Sequence, residues 1–287
     1  MKKFRKIFAF CMIICVLLIT GCIDSSITIL IKPDGSGTIT QTMFMSPAIT
    51  QMINSMNQGN NSEEGRQKSV IEKQLDPAQY KAQALRMGEG VTFESCKEIK
   101  KEDGSSGVEV VFTFNDINKL KITPSPQSPV TGNQLPEQPG EDKLMFNFVK
   151  GDQSRLTISI PQKKSNNTLP PPAGVTPPEP ENNEKPSPEQ IQMLKQMFNG
   201  FRFRFQIKVE GEIIKSNASY IEKGATGKKQ IVTLFDMDIS KLLNDQEKCN
   251  KLFSMGRIQD ITTAREKLKD FKELRLETVE KLEILFK

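Results

Sequence analysis

The sequence has no histidine and no tryptophan, only two tyrosines, and five cysteines in 287 residues. Without histidine the chain lacks the commonest general acid–base group and the commonest metal ligand. Any catalysis would have to run on carboxylates or a Ser/Lys pair. No Gly-x-Ser-x-Gly, Ser-x-x-Lys, P-loop or HExxH pattern occurs. With so few Tyr and no Trp, an aromatic platform for sugars is not expected either. The reading is therefore non-enzymatic, with a His-free hydrolase as the lesser alternative, and with no cofactor and no metal. Nor is there a large charge of one sign. The formal net charge is +5, but Lys2, Lys3, Arg5 and Lys6 all fall in the first six residues, so the rest is near neutral. A nucleic-acid partner, which wants a clustered basic face, is not expected.

What is present begins at the amino terminus. The basic head is followed by an apolar run, Ile7–Ile19, which falls short of the ~20 residues of a spanning helix and has the layout of a secretory signal. It ends in Ile19-Thr20-Gly21-Cys22. This tetrapeptide resembles the lipobox of bacterial lipoproteins. The resemblance implies cleavage between Gly21 and Cys22, a diacylglycerol (palmitate-type) thioether on Cys22, and a membrane-anchored protein of the cell envelope. Two or more acyl chains suffice for stable anchoring, at roughly 0.8 kcal/mol per buried CH₂. With Ile23 rather than Asp after Cys22, analogy with Gram-negative lipoproteins favours the outer membrane over the inner. Cys11 and Cys15 leave with the signal. Cys96 and Cys249 remain, either as a disulfide permitted by the exported compartment or as two free thiols.

Prolines punctuate the remainder. All but Pro33, Pro47 and Pro77 lie in two tracts, 123–140 and 161–188, which read as loops or semi-rigid spacers. The chain thus divides into a signal peptide (1–21), an N-terminal part of an α+β domain (22–122), proline-rich loops flanking an apolar hairpin at 143–160 (123–188), and a C-terminal part (189–287).

Alternating apolar residues mark the strands. Ile27, Ile29 and Ile31, then Ile39, Met43 and Met45, form a hairpin about Asp34-Gly35-Ser36-Gly37. That turn has too few carboxylates at fixed spacing for a calcium loop. Val91–Ile99 and Val108–Phe114 form a second hairpin, and Leu144–Phe148 with Leu156–Ile160 a third, which must dock on the main sheet. Phe201, Phe203, Phe205, Ile207 and Val209 alternate without a fault against Arg202, Arg204, Gln206, Lys208 and Glu210. This predicts a central strand with one buried and one charged face, and Glu212–Ile221 is expected to pair back on it. Gln230–Phe235 is a further strand, and 274–286 is read as a terminal strand or hairpin.

Helices are predicted from Ser46-Pro47, from Asp76-Pro77 with Gln79 placed for a capping box, and from Ser187-Pro188 to Asn199. Two more follow at 242–253 and 257–271. In the first, Ile49, Met52, Ile53 and Met56 make a core-facing stripe. Asp116-Ile117-Asn118-Lys119-Leu120 and Asp238-Ile239-Ser240-Lys241-Leu242 echo one another as strand, capping Asp and helical turn. Asp236 and Asp238 could together hold a cation, but a helix-capping Asp is the plainer reading. Arg202, Arg204 and Lys208 could meet anionic headgroups, or form a solvated face.

These elements give an α+β class: an antiparallel sheet of about nine strands built from hairpins, with short helices packed on one face. The hairpin with Asp34-Gly35-Ser36-Gly37, the Phe-rich strands and Thr233-Leu234-Phe235-Asp236-Met237-Asp238 resemble families of uncharacterised bacterial lipoproteins, and loosely the LppM type. The resemblance implies an envelope-associated globular domain whose ligand, if it has one, is a lipid; the anchor, the near-neutral charge beyond the signal and the lack of a catalytic constellation point to a structural or adaptor role. A second reading is a module that binds lipid between the sheet and the helices of 46–57 and 187–199. The expected partners are the membrane, through Cys22, and a bound lipid or an envelope protein.

Overall fold

The computed structural model describes residues 23–58, 70–123, 143–160, 192, 195, 200–254, 267–268 and 270–287. In chain order the elements are β1 (Ile23–Ile31), β2 (Gly37–Met45), α1 (Pro47–Gln58), α2 (Val70–Gln74), α3 (Pro77–Met87), β3 (Val91–Lys100) and β4 (Ser106–Phe114), then a 3₁₀ turn (Ile117–Lys119). There follow β5 (Met145–Val149), β6 (Ser154–Ser159), β7 (Arg202–Val209), β8 (Ile213–Ser216), β9 (Ile221–Lys223) and β10 (Lys229–Asp238). The last are α4 (Ile239–Asn244), α5 (Gln246–Ser254), β11 (Leu274–Leu276) and β12 (Lys281–Phe286).

The class is α+β, as the sequence indicates, but the strands form two sheets. The main, eight-stranded sheet runs β11-β10-β7-β1-β2-β4-β3, with β9 also on β10; the smaller runs β5-β6-β12-β8. The three expected hairpins all form. Strand β7 is central, between β1 and β10, and Phe203, Phe205, Ile207 and Val209 on its inner face are all 0% exposed. Burying one such side chain contributes roughly 1.5–3 kcal/mol. Its outer residues, Arg202, Arg204, Gln206 and Lys208, are half-buried.

One face of the main sheet carries the core. Helix α3 lies over β3, stacking Tyr80 on Phe93 at 5.9 Å between ring centroids and meeting Phe112 edge-on. Ile53, Ile71, Ala84 and Met87 bring α1, α2 and α3 into the same apolar cluster. The inward-pointing Gln41 of β2 accepts a hydrogen bond from Gln83 Nε2 at 3.2 Å. The smaller sheet shares that core through Phe146, Leu156, Ile158, Leu282, Ile284 and Phe286. The third hairpin therefore docks on the main sheet as a member of a second layer, whose edge at β5 is closed by Leu144 N donating to Ile122 O (2.9 Å) and Phe148 N to Asn118 Oδ1 (2.6 Å).

Five details depart from expectation. First, the main sheet is mostly antiparallel, as expected, but β1 and β7 pair in parallel, with Ile27 beside Phe205 and Ile29 beside Ile207. A long crossover separates them in sequence, as parallel pairing requires. Second, 212–221 does not pair back on β7. Gly211, at φ +122°, turns the chain away, and a Cβ there would stand 2.3 Å from Lys287 O. Strand β8 joins β12 instead. Third, 274–286 is strand as expected, but its two strands lie in different sheets, β11 pairing with β10 and β12 with β6 and β8. Fourth, Gln79 makes no capping box: Asp76 takes the amide of Ala78 rather than that of Gln79, and the Gln79 side chain turns to the preceding helix, its Nε2 donating to Lys73 O and Gln74 O. Asp76 does cap α3, accepting from Ala78 N at 2.9 Å. Fifth, the helix expected at 242–253 is two helices broken at Asp245. Those expected at 187–199 and 257–271 fall almost wholly outside the described residues.

Candidate functional site

Gly21 and Cys22 lie outside the described residues, yet their position along the chain is informative. Strand β1 begins at Ile23, so the Cα of Cys22 is one ~3.8 Å step from a strand in the middle of the main sheet. Register brings other strand ends to the same level. Ile23 pairs with Met45, Met45 with Ser106, Ser106 with Lys100, and Asp24 and Asp238 both with Arg202. This end of the sheet, next to Cys22, is termed the anchor end after the lipid expected on that residue.

Its charges are matched in pairs. Lys101 Nζ contacts Asp24 Oδ2 at 2.6 Å and sits 4.1 Å from the centroid of the Phe44 ring. Arg202 grips Asp236 with two hydrogen bonds, 2.9 Å and 2.8 Å, and the same carboxylate holds the guanidinium above its ordinary pKa. Arg204 Nε stands 3.6 Å from Asp236 Oδ2, buried and without a hydrogen-bond partner. Asp238 caps α4, accepting from Lys241 N at 3.1 Å, and pairs with Lys241 Nζ at 3.1 Å. Lys248 bridges Glu273 (2.7 Å) and Asp245 (3.3 Å); the hydrogen bond to Glu273 raises the Lys248 pKa and depresses that of Glu273.

The residues singled out in the sequence therefore part company. Asp236 and Asp238 point outward from the same strand but serve separate ends, one locked by Arg202 and the other capping α4. They do not converge on a common ligand. The capping echo is real: Asp116 accepts from Asn118 N at 2.9 Å as Asp238 does from Lys241 N. Arg202 and Arg204 turn to Asp236 rather than to open solvent. Asp34 accepts from the Ser36 hydroxyl (2.7 Å) and amide (2.9 Å), which lower its pKa, and so forms a turn. Cys96 and Cys249 are free thiols: Cys96 lies on the edge strand β3 against the main core, and Cys249 is buried on α5 in a separate small cluster. Ile49 and Ile53 of the α1 stripe face the core.

Sequence reasoning missed Asp24, Phe44 and Lys101. They come from three separate segments, and only the strand register unites them. Among the described residues no group of three or more Cys, Asp or Glu is placed to hold a metal ion. No described helix is long and apolar enough to cross a membrane.

No family model matches the chain, and no curated protein matches it. Among solved structures, the folded domain of the LppM protein of Mycobacterium tuberculosis, determined by NMR, aligns with 75% of this chain and 82% of its own. The identity is 10% and the TM-score 0.28. An overlap that loose carries no argument about shared fold or activity.

Proposed function

We propose that the chain is an exported lipoprotein of the cell envelope, anchored by lipid on Cys22, whose domain has a structural or adaptor role and catalyses no reaction. The observation that carries this reading is the place of Ile19-Thr20-Gly21-Cys22 directly before β1, behind a basic head and an apolar run. The lack of histidine in the sequence and the commitment of Asp236 and Asp238 to Arg202 and Lys241 favour a non-catalytic role. With Ile23 after Cys22, the outer membrane is the favoured address in a cell that has one.

The test is Cys22→Ser in the full chain, expressed in a bacterium and fractionated. The parent chain is expected in the membrane fraction, labelled by a palmitate analogue, and the variant is expected unlabelled. Label retained on Cys22→Ser overturns the reading. The alternative, an amphiphile carried inside the domain, is tested by extracting the purified protein. A stoichiometric lipid not attached to Cys22 would put that reading first.

A further inference from the structure

The lipid-bearing residue is so near the main sheet that it fixes which end of the domain meets the membrane. We infer that the anchor end of the main sheet is the bilayer-facing surface of the domain. The turn at 101–105, the entry to α1 at Ser46 and the start of α4 rest on the headgroups, and the partner is a phospholipid bilayer irrespective of its headgroup charge. The inference rests on the lipoprotein reading of Cys22.

The argument is one of reach. A diacylglycerol on Cys22 places that residue at the boundary of headgroups and acyl chains, and Ile23 follows it by one Cα step of ~3.8 Å. Ile23 is already paired with Met45. Neighbouring strands stand ~4.8 Å apart. Arg202 and Met45 are therefore one strand spacing from β1 along the sheet, and Asp238 and Ser106 two. Ile23 is the first residue of β1, and its partner Met45 is the last of β2. At ~3.3 Å per residue, the nine residues of β1 put its other end ~30 Å away. At that far end lies the turn at 32–36, with the hairpin turn at 150–153 held beside it by Ser154 Oγ donating to Pro33 O at 3.0 Å. The turn at 224–228, ahead of β10, is there too.

Charge does not set this orientation. Lys101 is matched by Asp24, Lys241 by Asp238, and Lys248 by Glu273 and Asp245. Such an end presents little net field to attract anionic lipid. The tether alone orients the domain, and its outward polar face and far end are displayed away from the membrane.

The absence of Trp from the sequence gives a silent background for a reporter. Glu102→Trp marks the anchor end and Lys228→Trp the far end; both residues are exposed in turns. The full-length lipidated protein is reconstituted in vesicles of phosphatidylcholine, with and without phosphatidylglycerol, containing headgroup spin-labelled lipid. Several-fold stronger quenching of Glu102→Trp than of Lys228→Trp is expected in both compositions. Equal quenching at the two, or stronger quenching at Lys228→Trp, overturns the orientation. A difference seen only with phosphatidylglycerol overturns the role of the tether. If Glu102→Trp loses the parent's thermal midpoint, Lys100→Trp replaces it. The mass of the amino-terminal peptide from the same preparation separates the two failures. An unlipidated Cys22 sinks the lipoprotein reading and the orientation with it, whereas lipidated protein with equal quenching sinks the orientation alone.

Discussion

Arg202 and Asp236 form a two-pronged ion pair across β7 and β10, with Nε 2.9 Å from Oδ1 and Nη2 2.8 Å from Oδ2. The carboxylate side chain is 10% exposed, and two arginines lean on it. Removing it takes the hydrogen-bonding anion from Arg202 and the nearby carboxylate from Arg204, both in a partly desolvated place. A fully buried pair broken in this way costs about 3–5 kcal/mol. Here the arginines keep some water, so Asp236→Ala is expected to cost about 2–3 kcal/mol in urea unfolding. A cost below about 0.5 kcal/mol, typical of a surface change, would contradict this pairing.

Glu277 holds the passage from β11 to β12, where the chain leaves one sheet for the other. It is 1% exposed. Its carboxylate accepts from Ser219 N (2.6 Å), Ser219 Oγ (3.2 Å), Thr278 N (2.9 Å) and Val279 N (3.1 Å). Glu277→Gln puts an NH₂ donor against at least one of those donors. The expected loss is about 2–3 kcal/mol, with increased amide exchange at Ser219 and Val279. Unchanged exchange at both would refute the role.

Acid should weaken the fold in a defined window. Hydrogen bonds hold the carboxyls of Asp34, Asp103, Asp245 and Glu273 below their ordinary values, 3.8 for Asp and 4.5 for Glu. A folded-state value below the unfolded one means that the unfolded chain binds protons first as the pH falls. The stability these groups contribute is whole above about pH 5 and is lost as the pH drops through their lowered folded values. The thermal midpoint is therefore expected to be level from pH 7 to about 5 and to fall below it. Glu273→Gln, which has no carboxyl to protonate beside Lys248 Nζ, should fall less steeply. A midpoint that rises on acidification would contradict the signs.

Much of this architecture is legible in single segments. The unbroken parity of Phe203, Phe205, Ile207 and Val209 announces a central strand, and Ser46, Asp76, Asp116 and Asp238 announce the starts of helical turns. Features that depend on distant segments are not legible. Nothing within Ile23–Ile31 says that its second neighbour is the parallel β7. The turn at Gly211 reads as a hairpin until the C-terminal Lys287 is placed against it. Helix α3 carries a capping-box pattern, but Gln79 finds nearer carbonyls in α2. The anchor end is half legible: Cys22 stands out in sequence, whereas Asp24 and Lys101 meet only because strand register brings their segments together.

The most direct test of the central claim is the mass of the amino-terminal peptide of the full chain extracted from membranes. The expected result is a peptide beginning at Cys22 and carrying a diacylglycerol thioether. A peptide that retains Gly21, or begins at Cys22 with no lipid, would contradict the lipoprotein reading.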